Sequence, residues 1–236
     1  MRILHAIHDF LPRHRAGSEI YAFELCRALE TAHHITVLCA DYDPARPHGH
    51  VAWRACGGLP VAEIVNNWRC ASFEETYRSP VLLDRIAHVM RAVQPDVLHV
   101  HSLLNLSFDL PALARSQGVP VVATLHDYTL ICPSGGQRIH RAEQHLCEEI
   151  DSVRCARCFG ESAFSDQISL GRFAGATTAP ELLGRAALTM RRRFPAMAGG
   201  LQRLRKATSR RSVSPSEIEG RLAAARHVFD DVDLFV

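Results

Sequence analysis

Lysine is almost missing: Lys206 is the only one in 236 residues, and arginine carries nearly all the positive charge. The bias reads as base composition of the source genome rather than as function. The net charge of +2 gives no global electrostatic case for nucleic acid. No apolar run approaches the roughly 20 residues that span a bilayer. Met1 to His8 holds one positive charge and a short apolar run broken by His5, too short for the apolar segment of a signal peptide. That stretch reads as a first strand, and the expected location is cytoplasmic. Eight cysteines in that compartment point to thiols or metal ligands before disulfides. The first loop has no G-x-G-x-x-G and no G-x-x-x-x-G-K-[ST], so dinucleotide binding and a P-loop are unsupported.

What is present is globular. Hydrophobic residues make up 47% of the chain, enough for one large α/β domain or two small ones. Ile3 to Ile7 reads as a strand, residues 19–31 as an amphipathic helix, and Ile35 to Cys39 as a second strand. This βαβ start predicts a parallel sheet with right-handed crossovers. Ser18 is the expected N-cap, with Glu19 in the first turn. Residues 41–60 carry Asp43-Pro44, Arg46-Pro47 and Gly57-Gly58 and read as loop and turn. Val61 to Val65 is a short strand, 81–93 a helix stopped by Gln94-Pro95, Val97 to Val100 a strand, and 110–116 a helix. Val121 to Leu125, a continuous apolar run, reads as a strand buried on both faces.

Strands ending near His8, His101 and His126 would bring histidine to one rim of the sheet, where ligands of open α/β folds bind. His126-Asp127 is the sharpest such feature, although either residue could instead cap the next segment. Gly17, just before a helix N-terminus, could let a backbone approach phosphate oxygens. On spacing alone a turn glycine is the plainer reading.

Beyond the rim, Cys132, Cys147, Cys155 and Cys158 fall within 27 residues, the last two as a C-x-x-C. Four thiolates suit a closed structural zinc site, although Cys132 and Cys147 are too far apart for a standard finger. A redox or disulfide pair and plain thiols remain as alternatives. Cys26 and Cys39 look like core residues. Residues 161–211 read as two or three helices. They are strongly basic through Arg191, Arg192, Arg193, Arg203, Arg205, Lys206, Arg210 and Arg211. A solvated face is the default there, and a surface for anionic lipid the minority reading. Residues 217–229 form one more helix. Asp233 to Val236 begins what looks like a strand.

Several stretches, in order and spacing, resemble the N-terminal domain of family 4 glycosyltransferases. They are His8-Asp9-Phe10-Leu11-Pro12 with Ala16-Gly17-Ser18-Glu19, His34 to Leu38, Pro95 to His101, and Val121 to Tyr128. The match runs from residue 1 to about 160 and more loosely to the end. The four cysteines resemble a subgroup with such a cluster. The resemblance implies a Rossmann-like parallel sheet flanked by helices, the N-terminal half of a GT-B fold. It would span 1–229 with a Cys-rich insertion at about 129–160, and 230–236 would approach the interdomain strand. It implies the acceptor side of a retaining, hexosyltransferase-type enzyme that moves sugar from a nucleotide-sugar to a glycan, lipid or other acceptor, as in polysaccharide biosynthesis. The isolated chain would be inactive, because the family's donor domain and its carboxylates have no counterpart here. By the same resemblance His126 and Asp127 are catalytic, with His126 beside the transferred sugar. Gly17 and Ser18 lie near the donor diphosphate, and His101 is at the cleft floor. No cofactor would be required for catalysis, and zinc would be structural. Ala16 departs from the second glycine common in the family. The expected partners are a nucleotide-sugar and a glycan or lipid-linked acceptor, with peripheral contact at the inner membrane face as a lesser option and no nucleic acid. The alternative is a noncatalytic binding or assembly module on the same fold.

Overall fold

Strand β1 (Arg2–Ile7) lies at the middle of a sheet, paired in parallel with β2 (His34–Asp41) on one side and β5 (Val97–Val100) on the other. A computed structural model describes residues 1–140, 143–169, 180–193 and 213–236. The remaining strands of this sheet are β3 (Val51–Cys56), β4 (Leu59–Val65), β6 (Val121–Ala123) and β9 (Leu234–Phe235), and the strand order is β3-β4-β2-β1-β5-β6-β9. Every pairing is parallel except β3 with β4. The expected α/β class with a Rossmann-like sheet is therefore the observed one.

Alternation along the central strands sorts residues to two faces. Ile3 and Ile7 of β1 pack with Ala22 and Cys26 of helix α1 (Gly17–Leu29). Leu4 and Ala6 face the other core, built under α2 (Pro80–Val93), α3 (Leu110–Ser116) and α6 (Pro215–Asp230). Helix α2 illustrates how local chemistry sets the bounds. The Ser79 hydroxyl accepts the Leu82 N–H, Pro80 opens the first turn, and Gln94 turns left-handed at φ 48° before Pro95. Helices α4 (Ser152–Glu161) and α5 (Pro180–Arg193), the two-stranded ribbon β7 (Ile139–His140) with β8 (His145–Leu146), and two short 3₁₀ turns at Glu74–Thr76 and Ala163–Ser165 complete the described elements.

Three expectations need correction. Segment 41–60 holds a strand: β3 forms an antiparallel hairpin with β4, and Gly57 and Gly58, at φ 57° and 92°, supply the two-residue turn. Such a turn needs positive φ at both positions, which glycine adopts without a Cβ penalty. Helix α1 begins at Gly17 with Ala16 as its N-cap, and Ser18 is inside the first turn. The Glu19 carboxylate, three residues on from Ala16, accepts the Ala16 N–H at 2.9 Å, so no hydroxyl cap is required. Strand β6 stops at Ala123. Thr124 still donates its N–H to Val100, but Leu125 has left the sheet and is half exposed. Most of the basic stretch, including Arg203, Arg205, Lys206, Arg210 and Arg211, lies outside the described residues, as do the side chains of Arg191 and Arg192. Among the described residues no helix is long and apolar enough to cross a membrane.

Candidate active site at the carboxyl ends of β1, β5 and β6

From β1 the chain crosses to β2 on one side of the sheet, and β5 adds to the other side, so the strand order reverses beside β1. A crevice opens at the carboxyl ends of strands where the order reverses. His8 follows β1, His101 follows β5, and His126 comes just beyond β6, so the expected histidine rim is present.

The rim has a buried root. His5 of β1 and His99 of β5 are register partners, and His101 is two residues further along the same face. All three are buried beneath α1, whose Tyr21 ring meets His101 and His126 edge-on at 6.0 and 5.0 Å. His5 Nδ1 and His101 Nε2 share a hydrogen bond of 3.0 Å, and His101 Nδ1 and His126 Nε2 share one of 3.2 Å. His99 stacks on His101 with centroids 4.3 Å apart and bonds the Thr124 hydroxyl at 2.9 Å. Burial, reinforced by neighbouring rings, pushes His5 down to about 3, His99 to about 4 and His101 to about 2. These rings are neutral at pH 7. His126 is also shifted down by burial, against the opposing pull of Asp127 and Glu19.

The other candidates divide. Gly17 is exposed at the start of α1 with no positive φ, and a Cβ built there meets nothing within 4 Å. The chain's own packing does not require glycine at that point. Ser18, half-buried, sits beside it. Glu19 is buried under this helix end and pairs with His8 Nε2 at 3.2 Å, which holds His8 on the same rim. The Asp127 carboxylate accepts the Thr129 N–H at 2.8 Å, an Asx turn that shapes the loop. Within the site, the ring hydrogen-bonded to His126 is His101. Ser102, His126, Asp127 and Thr129 line a small pocket that Val228 and Phe235 wall on the side of α6 and β9.

His5 and His99 were missed as site residues because a histidine inside an apolar strand reads as core. The signal that could have found them is alternation: His99 and His101 share one face of β5, and His5 is on the same face of the next strand.

The four cysteines converge at the far side of the loop after His126. Cys132 closes the turn begun at Tyr128, Cys147 follows β8, and Cys155 and Cys158 sit on α4. The helix is tied to the ribbon by Arg154 to His145 at 2.8 Å and by His140 with Glu161 at 3.6 Å. Burial and the proximity of Cys132, Cys147 and Cys158 push the Cys155 thiol up to about 11. All four are free thiols. Among the described residues, however, the group whose ligand atoms fall within 4.8 Å of one another is His5, His99 and His101, and the cysteines do not form one.

A mostly parallel α/β sheet, with a polar rim at its switch point and a helix N-terminus beside it, defines a Rossmann-like domain of the kind that binds ligands across a cleft. The family follows from the sequence match: the model of Glycosyltransferase Family 4 fits residues 15–160, and the chain belongs to that family. No curated protein matches it. Solved structures similar to it include the catalytic domain of starch synthase IV from Arabidopsis thaliana, at 16% identity over 54% of this chain and 34% of that one, TM-score 0.32. Sucrose-phosphate synthase from Thermosynechococcus elongatus is 14% identical over 67% of this chain and 39% of that one, TM-score 0.36. A trehalose 6-phosphate synthase from Burkholderia multivorans is 15% identical over 53% and 33%, TM-score 0.36. This chain spans between a third and two-fifths of the length of these structures.

Proposed function

We propose that the chain is the acceptor-side wall of a retaining glycosyltransferase of the GT-B type. It would move a sugar from a nucleotide-sugar to a glycan, a lipid-linked saccharide or another acceptor. The observation that carries this reading is the position of His126. Its ring stands at the switch-point rim, held from behind by His101, in the same crevice as the open N-terminus of α1. Sugar transfer with retention develops positive charge at the anomeric carbon while a diphosphate departs. His126 hydrogen-bonds a hydroxyl of the transferred sugar and keeps it oriented. The free N–H groups of α1 face the diphosphate, and the absence of a side chain at Gly17 leaves room for its oxygens. Ser18 adds a hydroxyl at the same end, and His101 supports the cleft floor. Asp127 acts through the loop it shapes. The remaining contacts to the nucleotide belong to a second domain.

The test joins the chain to a donor-side domain and measures transfer from a panel of nucleotide-sugars. His126→Ala should lower kcat by about 10²–10³-fold, the usual cost of one transition-state hydrogen bond. Full activity in that variant would remove His126 from the reaction. Acceptor capture without turnover in every pairing would favour the alternative, a noncatalytic binding module on the same fold.

A structural zinc held by Cys132, Cys147, Cys155 and Cys158 is proposed as the brace of the loop after His126. The support is that thiols from three separate backbone segments converge closely enough to raise one another's proton affinity, while closing a site would require their sulfurs to draw together, since they do not all lie within 4.8 Å of one another. The site would be structural, because four thiolates leave no open position for a reacting water.

A further inference from the structure

His5, His101 and His126 do more than lie near one another. In each bonded pair the ring centroids, 5.3 and 5.5 Å apart, are separated by the nitrogen–nitrogen distance, 3.0 and 3.2 Å, plus about two ring radii. That is the largest excess two five-membered rings allow, so each nitrogen points along the line to the next ring. The planes differ by only 17° and 22°. The three imidazoles form an end-to-end, nearly coplanar row running from the interior of the sheet to the crevice.

This geometry excludes a metal between His5 and His101. An ion needs about 2.0–2.1 Å to each nitrogen. Two nitrogens facing each other across 3.0 Å leave no place for it, and the hydrogen between them accounts for the distance. A proton-conducting role is excluded at the inner end. His5 is fully buried and its Nε2 has no partner among the described residues, so within them the row has no exit.

We propose that the buried His5–His101 pair is a tautomer lock that holds His126 with its proton on Nδ1, presenting an N–H donor to the crevice. Neutral imidazole carries one proton on two nitrogens. Each of the two shared bonds holds one proton, so choosing the tautomer of one ring sets all three. If His5 carried its proton on Nε2, a buried N–H would face no acceptor among the described residues, which folded proteins rarely tolerate. With the proton on Nδ1, His5 donates to His101 Nε2. His101 then donates from Nδ1 to His126 Nε2, and the His126 proton must occupy Nδ1. Burial keeps His5 and His101 neutral, so the row does not escape the choice by taking an extra proton. His99, stacked on His101 and tied to Thr124, holds the middle ring in plane.

His5 and His101 are thus positioning residues that act through His126. Free histidine prefers its proton on Nε2, so the lock works against the intrinsic preference of the outermost ring. The consequence for sugar binding, a fixed donor toward a hydroxyl or a leaving oxygen, rests on the glycosyltransfer reading. The tautomer itself does not.

The experiment is nitrogen-15 NMR of the full chain labelled in histidine, with long-range proton–nitrogen correlations to separate the tautomers. At pH 7 the expected pattern is Nδ1–H for His126, His101 and His5, with scalar coupling across both nitrogen–nitrogen hydrogen bonds. His5→Phe and His101→Phe should each shift His126 toward the Nε2–H form while His126 stays neutral. Nε2–H at His126 in the unaltered chain overturns the proposal, and so does an Nδ1–H pattern that both variants leave unchanged. If either variant fails to fold by circular dichroism, the unaltered chain still decides the matter, because its tautomers and couplings are read without a substitution. A locked tautomer without transfer by any donor-domain fusion would count against the glycosyltransferase reading and leave the lock standing.

Discussion

A buried histidine with no charge partner has a definite effect on stability. His5, His99 and His101 have folded-state values of about 3, 4 and 2, well below the ordinary 6.5 that they regain on unfolding. Above that ordinary value both states are neutral and the rings contribute nothing to pH dependence. Below it the unfolded chain binds protons that the folded chain refuses, so stability falls as pH falls from 6.5 toward 4. The slope should reach up to about 1.4 kcal/mol per pH unit for each ring. Urea midpoints at pH 7 and pH 5 check this, and His101→Phe should flatten the dependence. An unchanged midpoint between the two pH values would mean that the row is open to water. The two ends of the same row differ in how far they could be read beforehand. His126 was legible as a candidate because it closes an apolar run. His5 was not, because one histidine in a strand looks the same whether or not two others face it.

At the scale of elements, the loop after His126 is held by a helix far along the chain. Arg221 of α6 is buried, with its value lowered to about 10 by that burial. Its guanidinium donates to the carbonyls of Thr129 and Leu130 and lies over the Phe108 ring at 4.8 Å. Arg221→Leu leaves two carbonyls without their partner. It should destabilise the chain by at least about 2 kcal/mol, measured by denaturant unfolding. In a donor-domain fusion it should also impair transfer, because the loop it holds carries His126 and Asp127. The cysteine brace makes a separate prediction. Protein purified without chelator should contain about one zinc per chain by elemental analysis, and strong chelation should lower its melting temperature. Four thiols titrating freely in metal-free, fully stable protein would remove the brace. The loop before α1 is pinned differently. Arg13 bonds Asp41 at 3.0 Å and also reaches Glu63, which Arg54 bonds at 2.6 Å. Neither partner of Arg13 could be paired from sequence, since 28 and 50 residues separate it from its carboxylates.

At the scale of the whole molecule, the proposed function makes the sheet one wall of a cleft. The chain belongs to family 4 and spans 33–39% of the length of the solved structures described above. On the proposed reading, the isolated 236-residue chain should show negligible transfer, because the groups that hold the nucleotide are elsewhere. A radiolabelled-sugar assay on the pure chain checks this, and robust turnover would show that the chain supplies both walls. Strand β9 pairs with β6 through Val122 with Leu234 and Ala123 with Phe235, which brings the last residues to the edge of the same crevice.

Periodicity alone was enough for the class of fold. Runs such as Ile3 to Ile7 and Val97 to Val100 are apolar apart from His5 and His99 because both faces of a parallel sheet are covered, and the helical stripes between them demand crossovers. Local chemistry was enough for most element ends, as at Gln94-Pro95. It failed where an end depends on a partner. Gly57-Gly58 read as loop until β4 lay opposite β3, and Leu125 read as strand until β5 ran out beside it. The histidine row lies furthest beyond local reading. Alternation sends a side chain to a face, but only the register of β1 against β5 aligns His5 with His99 and brings it to His101. Hydrogen bonds between residues 96 and 25 positions apart then fix which nitrogen faces the cleft. A proton's place on a ring follows from the neighbours that ring has in space, and those neighbours come from strand pairing.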